Sequence, residues 1–294
     1  MFKNELQEYV TAHPNLVSMK PAGDGIFVLK YKKKVFFDGL WNDYLEECRG
    51  TIVDEDFNVV TRPFTKIYNY GVEDKAPKLK DDTMVTAYRK VNGFMVAVTW
   101  HNGDILVSTT GTTDSDFVKM ARSMIDLKVY REVCKLHQGI TFMFECVHED
   151  DPHIVPELPG MYLLGYRENT WDSIVFPDPD VLDELAEQFG AYSVNSTRLS
   201  IGTLLKAVKL VKHEGFVFYT DDGVSAKIKS PYYLVNKFVA RNPRTDKLLR
   251  KDVKQSMDEE YYPLIDAIQS DIEAYTLLDE QARLAWVRNF LEAA

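Results

Sequence analysis

The chain has 294 residues, 45% of them hydrophobic and 27% charged, with a formal net charge of −10 at pH 7. That length has room for one large domain and a small one, and the composition is ordinary for a soluble globular protein. No apolar run approaches the ~20 residues needed to cross a bilayer, and the opening MFKNELQEYV lacks the basic-then-apolar layout of a secretory signal, so a cytoplasmic protein is expected.

The net charge argues at first against a nucleic-acid partner, but it hides three basic segments, Lys30–Lys34, Lys206–His213 and Arg241–Lys254. Each is either a solvated face or a nucleic-acid contact. Cys48, Cys134 and Cys146 are odd in number and lack C-x-x-C spacing, which argues against a disulfide framework. The histidines show no metal-ligand pattern, and a G-x-x-x-x-G-K-[ST] phosphate loop is missing.

In chain order, residues 1–20 read as a short helix and loop, with Leu6, Tyr9 and Val10 on one face, and residues 25–40 as a strand pair. A loop or short helix follows at Trp41–Cys48. Cys48-Arg49-Gly50 runs into a strand, turns at Asp54-Glu55-Asp56, and returns through Asn58–Arg62. From Arg62 to Gly71 aromatic side chains interleave with Arg62 and Lys66. This is either a core-packed loop or a nucleotide-contacting loop, where cations meet phosphates and a ring meets a base.

Val85 to Val98 reads as two strands joined by a tight turn, with Lys90 at its mouth and Gly93 three residues on. Gly93 permits a close approach that a Cβ would hinder, and a lysine held there is a plausible nucleophile. Asn102-Gly103 is a hairpin turn signal. Thr112–Ser115 caps a helix expected over Asp116–Leu127, followed by one over Tyr130–Leu136. Helices inserted between strands in this way suggest an α+β layout.

Thr141–Val147 alternates as a strand with apolar residues on both faces and Glu145 among them. A carboxylate there needs a partner: a structural cation, a ligand hydroxyl or a metal. Tyr162–Arg167 is a buried strand, and Pro177–Gly190 an amphipathic helix. Glu214–Tyr219 and Ala226–Lys229 form a hairpin around Asp221-Asp222-Gly223, with Lys227 and Lys229 on one face. Two like charges side by side are tolerable on a wet surface and favourable opposite a polyanion such as triphosphate. Beyond residue 240 the pattern is helical, over Tyr261–Tyr275 and Leu277–Leu291.

Together these motifs, in this order, resemble the covalent nucleotidyltransferases, the nucleic acid ligases and mRNA-capping enzymes. Lys90-Val91-Asn92-Gly93 is similar to their nucleophile motif, Phe142–Glu145 to the third, Glu214-Gly215 to the fourth and Lys227-Ile228-Lys229 to the fifth. Tyr162–Arg167 matches the strand after the third motif. Cys48-Arg49-Gly50 and Lys66-Ile67-Tyr68-Asn69 look like the phage-type RNA ligase 1 family, which repairs broken tRNA anticodon loops. The resemblance covers roughly residues 40–235.

It implies an α+β nucleotidyltransferase (adenylation) domain over residues 1–239, of antiparallel sheets with flanking helices, and a small all-helical domain over 240–294. It implies an ATP-dependent RNA ligase with Lys90 forming a lysyl-AMP and Mg²⁺ held by Glu214. Arg49 and Lys66 would clamp the outer phosphates, and Lys227 and Lys229 the α-phosphate. Glu145 would accept from the ribose, Tyr68 support the loop or the nucleotide, and Tyr166 contact adenine. Gly93 and Gly215 complete their motifs. A free lysine of pKa about 10.4 is neutral only about 0.04% of the time at pH 7, so neighbouring cations would help Lys90 attack. The implied partner is RNA with single-stranded ends, including tRNA, bound by a monomer in the cytoplasm, that of a host cell if the chain is phage-encoded.

Two alternatives stay open: a DNA ligase or capping-type enzyme, which normally carries an appended β-barrel, and a non-catalytic nucleotide- or RNA-binding protein on the same fold. The chain departs from the family pattern at Thr110-Gly111, where a basic residue usually precedes the glycine, and in its short C-terminal segment.

Overall fold

A computed structural model describes residues 2–23, 25–151, 153–175, 177–241, 248, 250, 252–256 and 259–293. The elements begin with α1 (Phe2–Ala12), β1 (Val17–Pro21), β2 (Ile26–Tyr31), α2 (Lys33–Phe37), α3 (Asp43–Glu47), β3 (Arg49–Asp54) and β4 (Val59–Thr61). Next come β5 (Met84–Arg89), β6 (Phe94–His101), β7 (Asp104–Thr109), α4 (Asp116–Ser123), α5 (Leu127–Leu136), β8 (Ile140–Val147), β9 (Gly160–Glu168) and α6 (Pro179–Phe189). The last are β10 (Ser196–Ser200), α7 (Ile201–Ala207), β11 (Gly215–Thr220), β12 (Ser225–Lys229), α8 (Pro231–Arg241), α9 (Tyr262–Ser270), α10 (Ile272–Leu277) and α11 (Glu280–Ala293). A short 3-10 turn, Glu259–Tyr261, precedes α9. This is the α+β class expected, built on three four-stranded antiparallel sheets.

The chain divides into two compact units, Met1–Lys66 with Val91–Asn195, and Ile67–Lys90 with Ser196–Ala294. The first unit holds the sheets β1-β2-β3-β4 and β7-β6-β8-β9. Strand β8 is buried on both faces: Phe142 and Phe144 on one face each pack against Phe189 of α6, with Phe144 also meeting Tyr130 of α5, and Met143 and Val147 on the other face are buried too. Side-chain caps fix the helix starts. Ser115 accepts from Val118 N–H, Asp126 from Lys128 and Val129, and Asp178 from Asp180 and Val181. The helix expected to run to Leu127 stops at Ser123 because Asp126 caps a new one.

Residues 25–40 are not a strand pair. Strand β2 pairs with β1, which the sequence reading took for loop, and with β3, while Lys33–Phe37 is helical. The three cysteines are buried, and burial pushes each thiol up to about 12.

The second unit holds the sheet β10-β5-β11-β12 over a core of Val85, Ala87, Ile201, Leu204, Phe218 and Ala226. Its helices share another core, from Val235 and Phe238 of α8 through Leu264, Ile265 and Ile268 of α9 to Val287 of α11. The helices that follow residue 239 therefore belong to this unit. Of the basic segment Arg241–Lys254, residues 242–247, 249 and 251 lie outside the described residues.

Lys90 is not in a hairpin. Strand β5 pairs with β10 and β11, and β6 with β7 and β8, so the lysine sits where the chain leaves one sheet for another. The two expected hairpins elsewhere do form. Asn102 (φ 49°) and Gly103 (φ 85°) turn β6 into β7, and residues 221–224 turn β11 into β12.

Candidate active site

In the second unit, Lys90 follows the last residue of β5. Its backbone N–H donates to the Gly215 carbonyl at 2.8 Å, and its ammonium to Glu214 Oε2 at 2.9 Å. Glycine is obligatory at 215. Its φ is +139°, and a Cβ there would lie 2.0 Å from the Ile228 carbonyl oxygen of the paired strand. The residue after the nucleophile candidate's carboxylate partner thus lets β11 approach β12 closely enough to fix Lys90.

Glu214 is 2% exposed. Burial alone would raise its carboxyl, but Lys90 and Lys229 outweigh that and hold it below its ordinary value. Lys229 lies 3.4 Å from Glu214 Oε1 and 2.5 Å from Glu260 Oε1. Burial disfavours the charged Lys229, yet the two carboxylates more than compensate, and it holds its proton more firmly than a free lysine. The expected direct neighbourhood of cations around Lys90 is therefore corrected in one respect: a carboxylate stands between Lys90 and Lys229. An ammonium held in such an ion pair must lose its proton and leave it before its nitrogen could act as a nucleophile.

Lys227 and the Tyr68–Tyr70 stretch are joined through backbone. Lys227 N–H donates to the Tyr68 carbonyl at 2.9 Å, and Tyr70 N–H to the Lys227 carbonyl at 2.8 Å. Asn69 forms an isolated bridge with Lys227. Tyr68 is buried.

In the first unit, Gly93 N–H donates to Glu145 Oε1 at 3.0 Å. Here the acidic side chain in the apolar strand has a backbone donor as partner. A Cβ at Gly93 would come within 2.3 Å of the Cys146 carbonyl oxygen, so that contact needs glycine. Asn92 accepts from Val155 N–H at 3.1 Å, which anchors the same turn from the other side. Tyr166 lies along β9, paired with Phe142, and burial followed by Asp178 raises its hydroxyl.

The loop from Arg62 to Lys66 is held by contacts within the first unit. Arg62 is structural: its guanidinium binds Glu47 through two nitrogens, at 3.1 and 2.6 Å, and Arg167 reaches the Pro63 carbonyl at 3.2 Å and Glu47 at 3.6 Å. Lys66 donates its N–H to the Glu46 carbonyl and holds its ammonium 4.7 Å from the centre of the Trp41 ring. Arg49 opens β3 opposite Lys30 of β2, with Gly50 (φ +100°) packed on Thr110.

Two residues escaped the sequence reading. Lys30 was seen only as part of a basic run, yet its Nζ would be 2.5 Å from a Cβ at Gly111. A cation thus stands beside the glycine that lacks a basic predecessor. Glu260 sits in a helical stretch with no motif to mark it, and nothing in local sequence indicates a long-range pair with Lys229. Among the described residues no three His, Cys, Asp or Glu side chains gather around a potential metal position. Glu214 offers one buried carboxylate, which suits a hard cation that takes its other ligands from phosphate and water.

A lysine fixed by a glycine carbonyl, and paired with a buried glutamate that a second lysine on β12 also approaches, sits on a fold shared with ATP-dependent polynucleotide ligases. The structure is similar to a putative ATP-dependent DNA ligase from Aquifex aeolicus, with TM-score 0.61 and 14% identity over 97% of this chain and 77% of that one. It is also similar to an archaeal ATP-dependent RNA ligase, with TM-score 0.60 and 17% identity over 98% and 75% of the two chains. The chain belongs to the RNA ligase family, whose model matches residues 47–233. It is 30% identical over 135 residues to RNA ligase 1 of Bacteriophage TS2126, a match covering 41% of this chain and 34% of that protein.

Proposed function

We propose that the protein is an ATP-dependent RNA ligase that joins a 5′-phosphate to a 3′-hydroxyl. The observation that carries this reading is the Lys90–Glu214–Lys229 cluster pinned by Gly215 within a chain of the RNA ligase family. Lys90 Nζ, freed from Glu214 and deprotonated, attacks the α-phosphorus of ATP. The α–β phosphoanhydride bond breaks, and pyrophosphate leaves with its electron pair. An oxygen of the RNA 5′-phosphate then attacks the AMP phosphorus, the P–Nζ bond breaks, and the lysine leaves with its electron pair as AMP passes to the RNA end. Finally the RNA 3′-hydroxyl attacks that 5′-phosphorus and AMP departs.

Each residue has a place in this scheme. Lys227 and Lys229 stabilise charge growing on the α-phosphate, and Arg49 and Lys66 bind the β- and γ-phosphates. Lys30 adds a cation next to Arg49 in cross-strand register, where two like charges are best tolerated around a polyanion. Glu145 accepts from a ribose hydroxyl in place of the Gly93 N–H, Tyr166 contacts adenine and Tyr68 supports the segment paired with Lys227. Mg²⁺ held by Glu214, directly or through water, supplies neutralisation of phosphate charge. The reading includes a monomer acting in the cytoplasm on single-stranded RNA ends, those of cleaved tRNA among them. Residues 1–239 carry all the residues named here, and 240–294 form a helical module.

The test is sealing of a single-stranded RNA with a 5′-phosphate and a 3′-hydroxyl, in ATP and Mg²⁺, beside the same sequence as DNA. The reading expects circular or joined RNA that requires the 5′-phosphate. Joining of DNA with none of RNA would favour a DNA ligase, and joining of neither, with nucleotide still bound, a non-catalytic module.

A further inference from the structure

The helical segment after residue 239 is reached by the strand that carries Lys229. Two consecutive carboxylates of one 3-10 turn extend to the sheet side of this unit. Glu260 Oε1 lies 2.5 Å from Lys229 Nζ, and Glu259 Oε1 accepts from Asn69 Nδ2 at 3.2 Å. Asn69 is bridged to Lys227, so the turn touches both lysines' strand and its neighbour. We propose that Glu260 is a positioning residue for Lys229 in the nucleotidyl transfer inferred above, an inference that rests on that reading, and that the helical segment thereby belongs to the catalytic apparatus.

Charge and burial support the assignment. Lys90, Glu214, Lys229 and Glu260 form an alternating chain of two cations and two anions, and the side chains of Lys229, Glu214 and Glu260 are 9%, 3% and 8% exposed. Glu214 serves both lysines. When Lys90 takes up AMP and leaves its ion pair, Glu260 keeps Lys229 held in place at its other side. A long lysine side chain has several rotatable bonds, and a fixed anion on one flank reduces the orientations its ammonium samples. The ring of Tyr233, its centre 5.0 Å from the Lys229 ammonium, adds a further wall.

Oε2 of Glu260 is buried and, among the described residues, has no hydrogen-bond partner, which on its own is costly for stability. An anion committed to one lysine through one oxygen orients that ammonium while leaving its remaining protons for phosphate.

The experiment follows lysyl-AMP formation in a single turnover, with α-labelled ATP and Mg²⁺, across a range of ATP concentrations. Wild type, Glu260→Gln and Glu260→Asp are compared, and their melting temperatures are recorded. A positioning role predicts that Glu260→Gln slows the step at saturating ATP by tenfold or more without raising the ATP concentration for half-maximal rate. Glu260→Asp keeps the charge but withdraws it, and is expected to lose a smaller factor. A loss of folded protein alone would lower the amount of product and leave the rate per active molecule unchanged. If Glu260→Gln does not fold, Glu260→Asp decides, and a wild-type rate in that variant overturns the proposal. Wild-type rates in a folded Glu260→Gln overturn it too. Wild-type protein that forms no lysyl-AMP would instead overturn the ligase reading itself.

Discussion

At residue 215 the backbone occupies φ +139°, and the space for a Cβ is taken by the Ile228 carbonyl. Gly215→Ala should therefore lower stability by about 3 kcal/mol or more, because a strained backbone and a steric overlap add. Gly139 has φ +80° with nothing within 4 Å of its missing Cβ, so Gly139→Ala should cost only about 1 kcal/mol. Urea unfolding of the two variants separates these expectations, and equal losses would contradict the close approach of β11 and β12. Glu47 makes a second test at this scale. It is the anion shared by Arg62 and Arg167, whose guanidinium burial drives down to about 10 against the pull of Glu47. Glu47→Gln keeps the shape and removes the charge, and should cost about 3–5 kcal/mol, since two buried guanidiniums lose their counter-ion. A loss under about 1 kcal/mol would mean that the Arg62 loop is held by other contacts.

Among the elements, β8 is the strand most committed to packing. Phe144→Ala should destabilise by about 3–5 kcal/mol, while Leu136→Ala at the end of α5, 79% exposed, should stay within about 0.5 kcal/mol. Calorimetric melting of both checks the contrast. This strand was legible in sequence because seven of its residues are apolar or small and period-two alternation could not be satisfied by one covered face. The hairpins β6–β7 and β11–β12 were legible through turn residues that tolerate positive φ. The stretch around Lys90 was misread for a physical reason. Alternation on both sides of a turn shows two strands but not their partners, and here each strand pairs with distant segments. Strands β1 and β10 went unseen because Val17–Pro21 and Ser196–Ser200 are short and Val17 is their one buried residue, which leaves little hydrophobic alternation to detect. Lys90, Glu145, Glu214 and Lys229 stand out in sequence through their motifs, whereas the placements of Lys30 and Glu260 depend on tertiary pairing that no local pattern encodes.

For the molecule as a whole, the buried ion network sets a pH dependence. Burial would raise the Glu260 carboxyl, but Lys229, Lys227 and Lys237 pull it from 4.5 to about 2, and Glu214 is lowered as well. A carboxyl whose folded value is depressed stabilises the fold fully above its unfolded value and loses that contribution as pH falls through the folded one. Acid unfolding should therefore steepen between about pH 4.5 and 2, and the stability gap between wild type and Glu260→Gln should narrow over the same range. Trp286, packed against the helical core, offers a fluorescence signal for it, and a gap constant down to pH 2 would contradict the network. Covalent attachment of AMP to Lys90 can be read on a gel. Protein is mixed with α-labelled ATP and Mg²⁺ and run on a denaturing gel beside Lys90→Ala, after a check for protein already carrying AMP. The account predicts label retained on the wild type and absent from the variant. Wild-type protein without label, with GTP tested in parallel and no AMP already attached, would contradict it.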